Sequence, residues 1–258
     1  MISNAETLTY DITETDQALA EAFGDRMVDT LNAGALALMV SVGHRTGVFD
    51  AMAEMPVATS AQIAEKAGLN ERYVREWLGA MTVGNIVEND PAGKTYYLPR
   101  EYAASLCRKS PTDNIAVFAQ YIPLLGSVED DIVHCFRNGG GVPYERFERF
   151  HEVMAEDSGQ SVVPALETDI LPLVPGLIER LERGIHVLDV GCGRGRALNK
   201  LARLFPNSQF TGYDISEDAV RYASQEARAL GNDNTSFQVF DVSDLEHSDR
   251  PGTYHLIT

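Results

Sequence analysis

Two kinds of periodicity divide this chain. Up to Arg183 the apolar positions recur mostly at helical spacing; from Ile185 onward they gather in short β-branched runs that alternate with helical stretches. Residues 16–44 form a long helical segment dominated by Ala, Leu and Met, where Gly34 offers a small surface for a second helix. Residues 48–55 make a further helical piece that ends near Pro56. Residues 59–69 read as a short helix that opens on the hydroxyls of Thr59 and Ser60 and closes at Gly68. Asn70 caps a helix over residues 71–81, whose Tyr73, Val74, Trp77, Leu78 and Met81 recur at helical spacing. Residues 86–88 and 95–98 flank a turn-rich stretch, Asn89 to Lys94, and predict a hairpin.

Helix, turn, helix and hairpin, in that order, make a winged-helix module. Such a module can read DNA, with residues 71–81 as the recognition helix, or it can serve dimerisation and line a pocket. Charge separates the two readings. Between Ser60 and Glu101 the bases Lys66, Arg72, Arg75, Lys94 and Arg100 are outnumbered by Glu65, Glu71, Glu76, Glu88, Asp90 and Glu101. A surface that docks on phosphates is not net acidic. The net charge of −17 over 258 residues points the same way, against nucleic acid and against an anionic membrane surface.

Residues 101–183 are mainly helical, interrupted by Asn138-Gly139-Gly140-Gly141-Val142-Pro143. No strand precedes these glycines and no Lys-Ser/Thr pair follows them, so they read as a connector, not a phosphate cradle. The domain boundary is expected near Pro164, giving residues 1–110, 111–163 and 164–258 as winged-helix-like domain, helical connector and second domain. Cys107, Cys135 and Cys192 are too scattered for a disulfide framework or a zinc site. Acids at Glu6, Asp11, Glu14 and Asp16 replace the basic and apolar regions of a secretory leader. The longest apolar stretch, residues 31–42, is well short of the ~18 residues of a membrane span. A cytoplasmic protein with reduced thiols is the expectation.

From Gly184 the order becomes strand, helix, strand, helix, strand, over residues 185–190, 197–205, 209–213, 216–230 and 235–240. Such alternation predicts a parallel sheet whose ligand site lies beyond the carboxyl ends of the strands. The distinctive residues sit at those ends: Asp189 with Gly191-Cys192-Gly193-Arg194-Gly195, then Asp214-Ile215, then Asp241-Val242. Alternating glycines let the backbone turn sharply and approach a ligand closely. Asp214 follows Gly191 at the distance at which an acid reaches a ribose diol, and a carboxylate accepts two hydroxyls at once. Asp241 is suited to accept from an exocyclic amine while Val242 offers its amide, and Asp189 would face a cationic group.

These residues resemble class I S-adenosylmethionine-dependent methyltransferases, whose first motif is an acid followed by G-x-G-x-G. Asp189 and Gly191, Gly193 and Gly195 fit that motif; Asp214 and Asp241 match the ribose and adenine positions. The competing dinucleotide fold would prefer G-x-G-x-x-G, and an acid beside a pyrophosphate is unfavourable. The resemblance implies a partial Rossmann-like, doubly wound parallel sheet behind a mostly α winged-helix-like domain. It implies S-adenosylmethionine as cofactor, held by Asp189, Gly191, Cys192, Gly193, Gly195, Asp214, Ile215, Asp241 and Val242. It also implies methyl transfer to a small-molecule acceptor by in-line displacement, and a homodimer formed through the N-terminal domain. A nicotinamide-dependent oxidoreductase and a winged-helix DNA-binding regulator are the alternatives.

No catalytic base is assigned: His134, His151 and His255 are candidates, each also readable as a surface or capping histidine. Tyr121, Tyr144 and Phe147 are candidates for an acceptor pocket, or else core packing. Tyr254 to Thr258 reads as the start of a fourth strand, which in the family lies beside the first. Three strands of the family's seven-stranded sheet are then missing, so the chain is expected to be a truncated representative that does not turn over alone.

Overall fold

The structure, a computed structural model, describes residues 16–110, 114–247 and 254–258; Glu6, Asp11 and Glu14, read above for a leader, lie outside them. Helix α1 (Gln17–Thr46) starts where the Asp16 carboxylate accepts from the amides of Ala18 and Leu19, and it ends at Gly47 in the left-handed region. Then come α2 (Val48–Ala53), strand β1 (Ala58–Thr59), α3 (Ser60–Ala67), α4 (Glu71–Val83) and strands β2 (Glu88–Asp90) and β3 (Thr95–Tyr97). Thr59 and Gln62 form a reciprocal capping box at α3, Gly68 closes that helix, and Asn70 caps α4 through the Arg72 amide. The helix starts follow from side chains that satisfy otherwise orphaned amides, and the glycine ends from a left-handed backbone whose own amide reaches the last carbonyls.

Phe49, Ile63, Leu78 and Met81 are fully buried at the centre of this module. Each such side chain contributes ~2 to 3 kcal/mol of burial energy. Trp77 packs edge-on against Phe49 at 5.0 Å and donates its indole N–H to the carbonyl of Met39, which ties α4 to α1. Two expectations are corrected. Tyr73 is 75% exposed, because the buried stripe of α4 runs through Val74, Trp77, Leu78 and Met81 and leaves it at the margin. The first hairpin strand begins at Glu88, not Ile86, because the amides of Ile86 and Val87 both donate to Met81 at the end of α4. The sheet also gains β1, giving the order β1-β3-β2, all antiparallel.

The middle of the chain is helical: α5 (Arg100–Leu106), a 3-10 turn (Ile115–Gln120), α6 (Tyr121–Gly126), α7 (Glu129–Asn138), α8 (Phe150–Gln160), α9 (Val162–Ala165) and α10 (Leu177–Arg183). Gly139 and Gly140 both have positive φ in the link between α7 and α8.

The remaining residues alternate between strand and helix: β4 (His186–Val190), α11 (Arg196–Leu204), β5 (Gln209–Asp214), α12 (Glu217–Leu230), β6 (Thr235–Val239) and β7 (Leu256–Ile257). All four strands are parallel, in the order β6-β5-β4-β7, so the last strand lies beside the first as expected. Val187, Phe210, Leu198, Leu201, Phe205 and Leu181 close the core between sheet and helices. Val190 pairs with Tyr213 and Asp214 with Val239, which brings the carboxyl ends of three strands level. Among the described residues no single helix is long and apolar enough to cross a membrane, and no cluster of His, Cys, Asp or Glu could hold a metal ion.

Candidate cofactor site

The chain leaves β4 through three glycines of positive φ: Gly191 (75°), Gly193 (54°) and Gly195 (67°). Beyond that shared conformation their surroundings differ. A Cβ on Gly191 or Gly193 would meet nothing within 4 Å, so both border open space; one on Gly195 would lie 2.6 Å from the Phe237 ring. Gly195 lets the start of α11 settle on β6, while Gly191 and Gly193 form a floor.

Four of the five amides from Gly191 to Gly195 are bonded within the protein. The amides of Gly191 and Cys192 donate to the carbonyl of Tyr213 at 2.8 and 3.0 Å, that of Gly193 to Asp214 Oδ2 at 2.8 Å, and that of Gly195 to the carbonyl of Cys192 at 2.9 Å. A pyrophosphate cradle needs such amides free and aimed at the ligand. Here they are turned into the protein.

Asp214 is buried at 7% exposure and accepts the Gly193 amide on one oxygen and the Ser216 amide, at 2.9 Å, on the other. It therefore braces the glycine loop and the entry to α12 together. Asp189 is half-buried and accepts from the Thr258 hydroxyl at 3.3 Å. Burial pushes its carboxyl up to about 6; repulsion by Asp214 adds to this and the Thr258 hydrogen bond opposes it. Asp241 is exposed, and its carboxylate accepts the amide and hydroxyl of Ser243, which hold it below the usual carboxylate range. Cys192 turns its sulfur against the position of Gly212 on β5, and burial raises its thiol to about 12, which leaves it unreactive.

One cleft of about 290 Å³ runs along these strand ends. Of the residues expected there, Gly191, Gly193, Asp214, Ile215 and Val242 line it; Asp189, Cys192, Gly195 and Asp241 stand beneath or beside it. Tyr213 and Phe240 supply further floor and Tyr144, Phe150, His151 and Met154 the opposite wall. The ring of Tyr144 meets Phe150 edge-on at 5.4 Å and stacks on His151 at 6.5 Å. An adjoining groove is bounded by Phe147, Arg194 and the start of α12, with Arg194 lying 4.5 Å over the Tyr222 ring.

The three candidate histidines part company here. Only His151 reaches the cleft; His134 contacts Asn138 on exposed α7, and His255 accepts from the His186 amide at the opposite end of β4. Tyr121 stands behind α8 and donates to Asp157 at 2.8 Å; burial, with Asp157, raises its hydroxyl to about 12. Sequence reasoning missed Phe150 and Met154. Their spacing of four along one helix was the available signal, but nothing in the residues said which face would meet the glycine loop.

Residues 34–108 match the family described as Rv2258c-like winged HTH domain, and residues 181–257 match a methyltransferase domain family. The chain carries a methyltransferase domain behind a winged helix-turn-helix domain. A segment of 75 residues is 36% identical to the ubiquinone biosynthesis O-methyltransferase of Albidiferax ferrireducens, covering 29% of this chain and 29% of that protein. The chain thus matches less than a third of that relative's length. Among solved structures, the mitomycin 7-O-methyltransferase MmcR superposes with a TM-score of 0.63 at 16% identity, over 93% of this chain and 71% of that one. Human N-acetylserotonin methyltransferase, solved with S-adenosylmethionine, superposes with a TM-score of 0.56 at 19% identity, over 95% and 71%. At such identities the likeness speaks to the fold: a mostly helical winged domain followed by a methyltransferase-type α/β domain.

Proposed function

We propose that this chain binds S-adenosylmethionine in the cleft at the ends of β4, β5 and β6, as part of an enzyme that methylates a small-molecule acceptor. The observation that carries the reading is the combination of a glycine loop with spent amides and two acids, Asp189 and Asp214, beneath a cleft of apolar and aromatic walls. That environment disfavours phosphates and favours a ligand with cationic groups and a ring system. The dinucleotide alternative would accept Asp214 on a ribose but asks for free amides and for no acid at the position of Asp189 beside the loop. The relatives add support, since the human neighbour was solved with this cofactor and the named neighbours are methyltransferases of small molecules.

S-adenosylmethionine, when bound, would supply a methyl carbon made electrophilic by its sulfonium, for in-line displacement by an acceptor lone pair with the C–S pair passing to sulfur. The chain's residues contribute position and environment. Asp214 is suited to accept ribose hydroxyls on its remaining lone pairs while it braces the loop. Asp189 adds negative potential near the cationic groups. Phe150, Met154, Tyr213 and Phe240 exclude water from the cleft. A neutral thioether leaves without a proton, so a base is required only where the acceptor must lose one, and His151 is the histidine at hand.

The same reading assigns the N-terminal domain to a second copy of the chain. Leu19, Phe23, Val28 and Leu31 on α1 are each more than half exposed, and α4 carries the Glu71–Arg75 ion pair where a DNA reader would present phosphate contacts. Calorimetric titration with S-adenosylhomocysteine and, separately, with NADH tests the cofactor assignment. Saturable binding of the first alone is expected; binding of NADH with no response to the first overturns it.

A further inference from the structure

Helix α8 forms part of the cleft wall through Phe150, His151 and Met154, and it is held from two directions. On one side Arg196, the first residue after the glycine loop, donates Nη1 to the carbonyl of Ala155 at 2.7 Å, and a Cβ on Gly159 would lie only 2.6 Å from that same nitrogen. On the other side stands Glu156, two residues on from Met154 and so about 200° around the helix.

Glu156 is the convergence point of the N-terminal half. His44 Nε2, at the end of α1 and 1% exposed as a residue, lies 2.9 Å from its Oε1. Arg108 Nε donates to the same oxygen at 3.1 Å, and Gln120 Nε2 donates to Oε2 at 2.8 Å. The donors are themselves fixed. Arg108 is held by Asp50 through its side chain and its amide, Gln120 accepts from Arg149 at 2.8 Å, and Asn114 Nδ2 stands 3.5 Å from His44 Nδ1. The hydrogen bonds with His44 and Gln120, helped by the charge of Arg108, keep the carboxylate ionised against its burial. Three donors from three segments meeting on one acceptor leave α8 little freedom to slide or rotate.

We propose that Glu156 is a positioning residue for the cofactor cleft: by anchoring α8 to His44, Arg108 and Gln120 it sets the distance between Phe150, His151 and Met154 and the glycine loop. Occupancy of the cleft therefore depends on the winged domain although that domain contributes no residue to it. The inference rests on the cofactor assignment above.

In Glu156→Gln the shape is kept, but one acceptor oxygen becomes an N–H donor that faces donors. The test is a thermodynamic cycle read by calorimetric binding of S-adenosylhomocysteine to the full chain, with Glu54→Gln as a surface control. Glu156→Gln is expected to weaken binding at least tenfold while Glu54→Gln leaves it unchanged. Met154→Ala should weaken binding several-fold in the parent and hardly at all in the Glu156→Gln background, since the displaced wall no longer delivers that side chain. Parental affinity in Glu156→Gln, or the same cost of Met154→Ala in both backgrounds, overturns the proposal; a purely structural defect gives the second result. Amide exchange of the ligand-free protein keeps the two readings apart. If the parent fails to bind, the cofactor assignment falls, and the anchor still stands if Glu156→Gln speeds exchange in α8 while β4 and β5 stay protected; unchanged exchange in α8 refutes it.

Discussion

Asp189 should make cofactor binding sensitive to pH in a range where ordinary carboxylates are silent. Its carboxyl is raised to about 6 by burial, so at pH 7 the site is about nine-tenths ionised and at pH 5 roughly one-eleventh ionised. A ligand carrying an ammonium group selects the ionised form and must expel the proton on binding. Affinity for S-adenosylhomocysteine is therefore expected to fall about tenfold from pH 7 to pH 5, equivalent to about 1.4 kcal/mol. At pH 5 close to one proton should be released per ligand bound, visible as a dependence of the calorimetric enthalpy on the ionisation enthalpy of the buffer. Asp189→Asn should bind more weakly at pH 7 and show a flat profile, and a His151→Gln background keeps the cleft imidazole out of the comparison. A flat parental profile, or an equal slope in Asp189→Asn, would refute the placement of a cation beside this acid.

The other predictions concern the loop, the anchor and the free face of α1. Gly195→Ala should lose about 2 to 4 kcal/mol of stability in urea unfolding, from positive φ together with overlap on Phe237, whereas Gly191→Ala should lose about 1 kcal/mol and mainly weaken ligand binding. Asp214→Ala should weaken S-adenosylhomocysteine binding far more than His151→Ala; equal effects would contradict the site. Glu156 is lowered to about 2 in the fold, chiefly by its hydrogen bond with His44, so its stabilisation is complete above about 4.5 and vanishes as pH falls through about 2. The parent should thus lose ~3 kcal/mol more than Glu156→Gln between pH 5 and pH 2, measured by urea midpoints, and parallel losses would count against the anchor. Phe23→Glu with Leu31→Glu should shift the chain from dimer to monomer in sedimentation equilibrium at unchanged helix content; a parent that sediments as a monomer removes the dimer proposal.

What could be read before the structure was whatever neighbouring residues decide among themselves. The Thr59–Gln62 box and Asn70 mark helix starts because the satisfying group lies within three residues of the orphan amide, and Gly68 marks an end because its left-handed backbone lets its amide reach the carbonyls of Ala64 and Glu65. The alternation after Gly184 gave the parallel sheet and put glycines and acids at its carboxyl ends for the same reason. Strand β1 escaped notice because two residues carry no period, and its pairing with β3 is decided across the module. The anchor of α8 was out of reach for a stronger reason. His44 and Glu156 lie 112 positions apart, and each alone is an ordinary polar residue in a helical pattern. Position along the chain likewise could not tell that Tyr121 stands behind the cleft wall while Tyr144, on a turn with no strong pattern, lies in it.

The internally satisfied glycine loop bears on exchange as much as on recognition. A loop that borrows its shape from a ligand must be rebuilt at each visit, and its partner departs slowly. This one is already built, so under the proposed assignment fresh cofactor and spent product would meet the same floor and differ there mainly by one positive charge. On the proposed assignment Asp189 and Asp214 would then favour the molecule that still carries its sulfonium over the uncharged thioether.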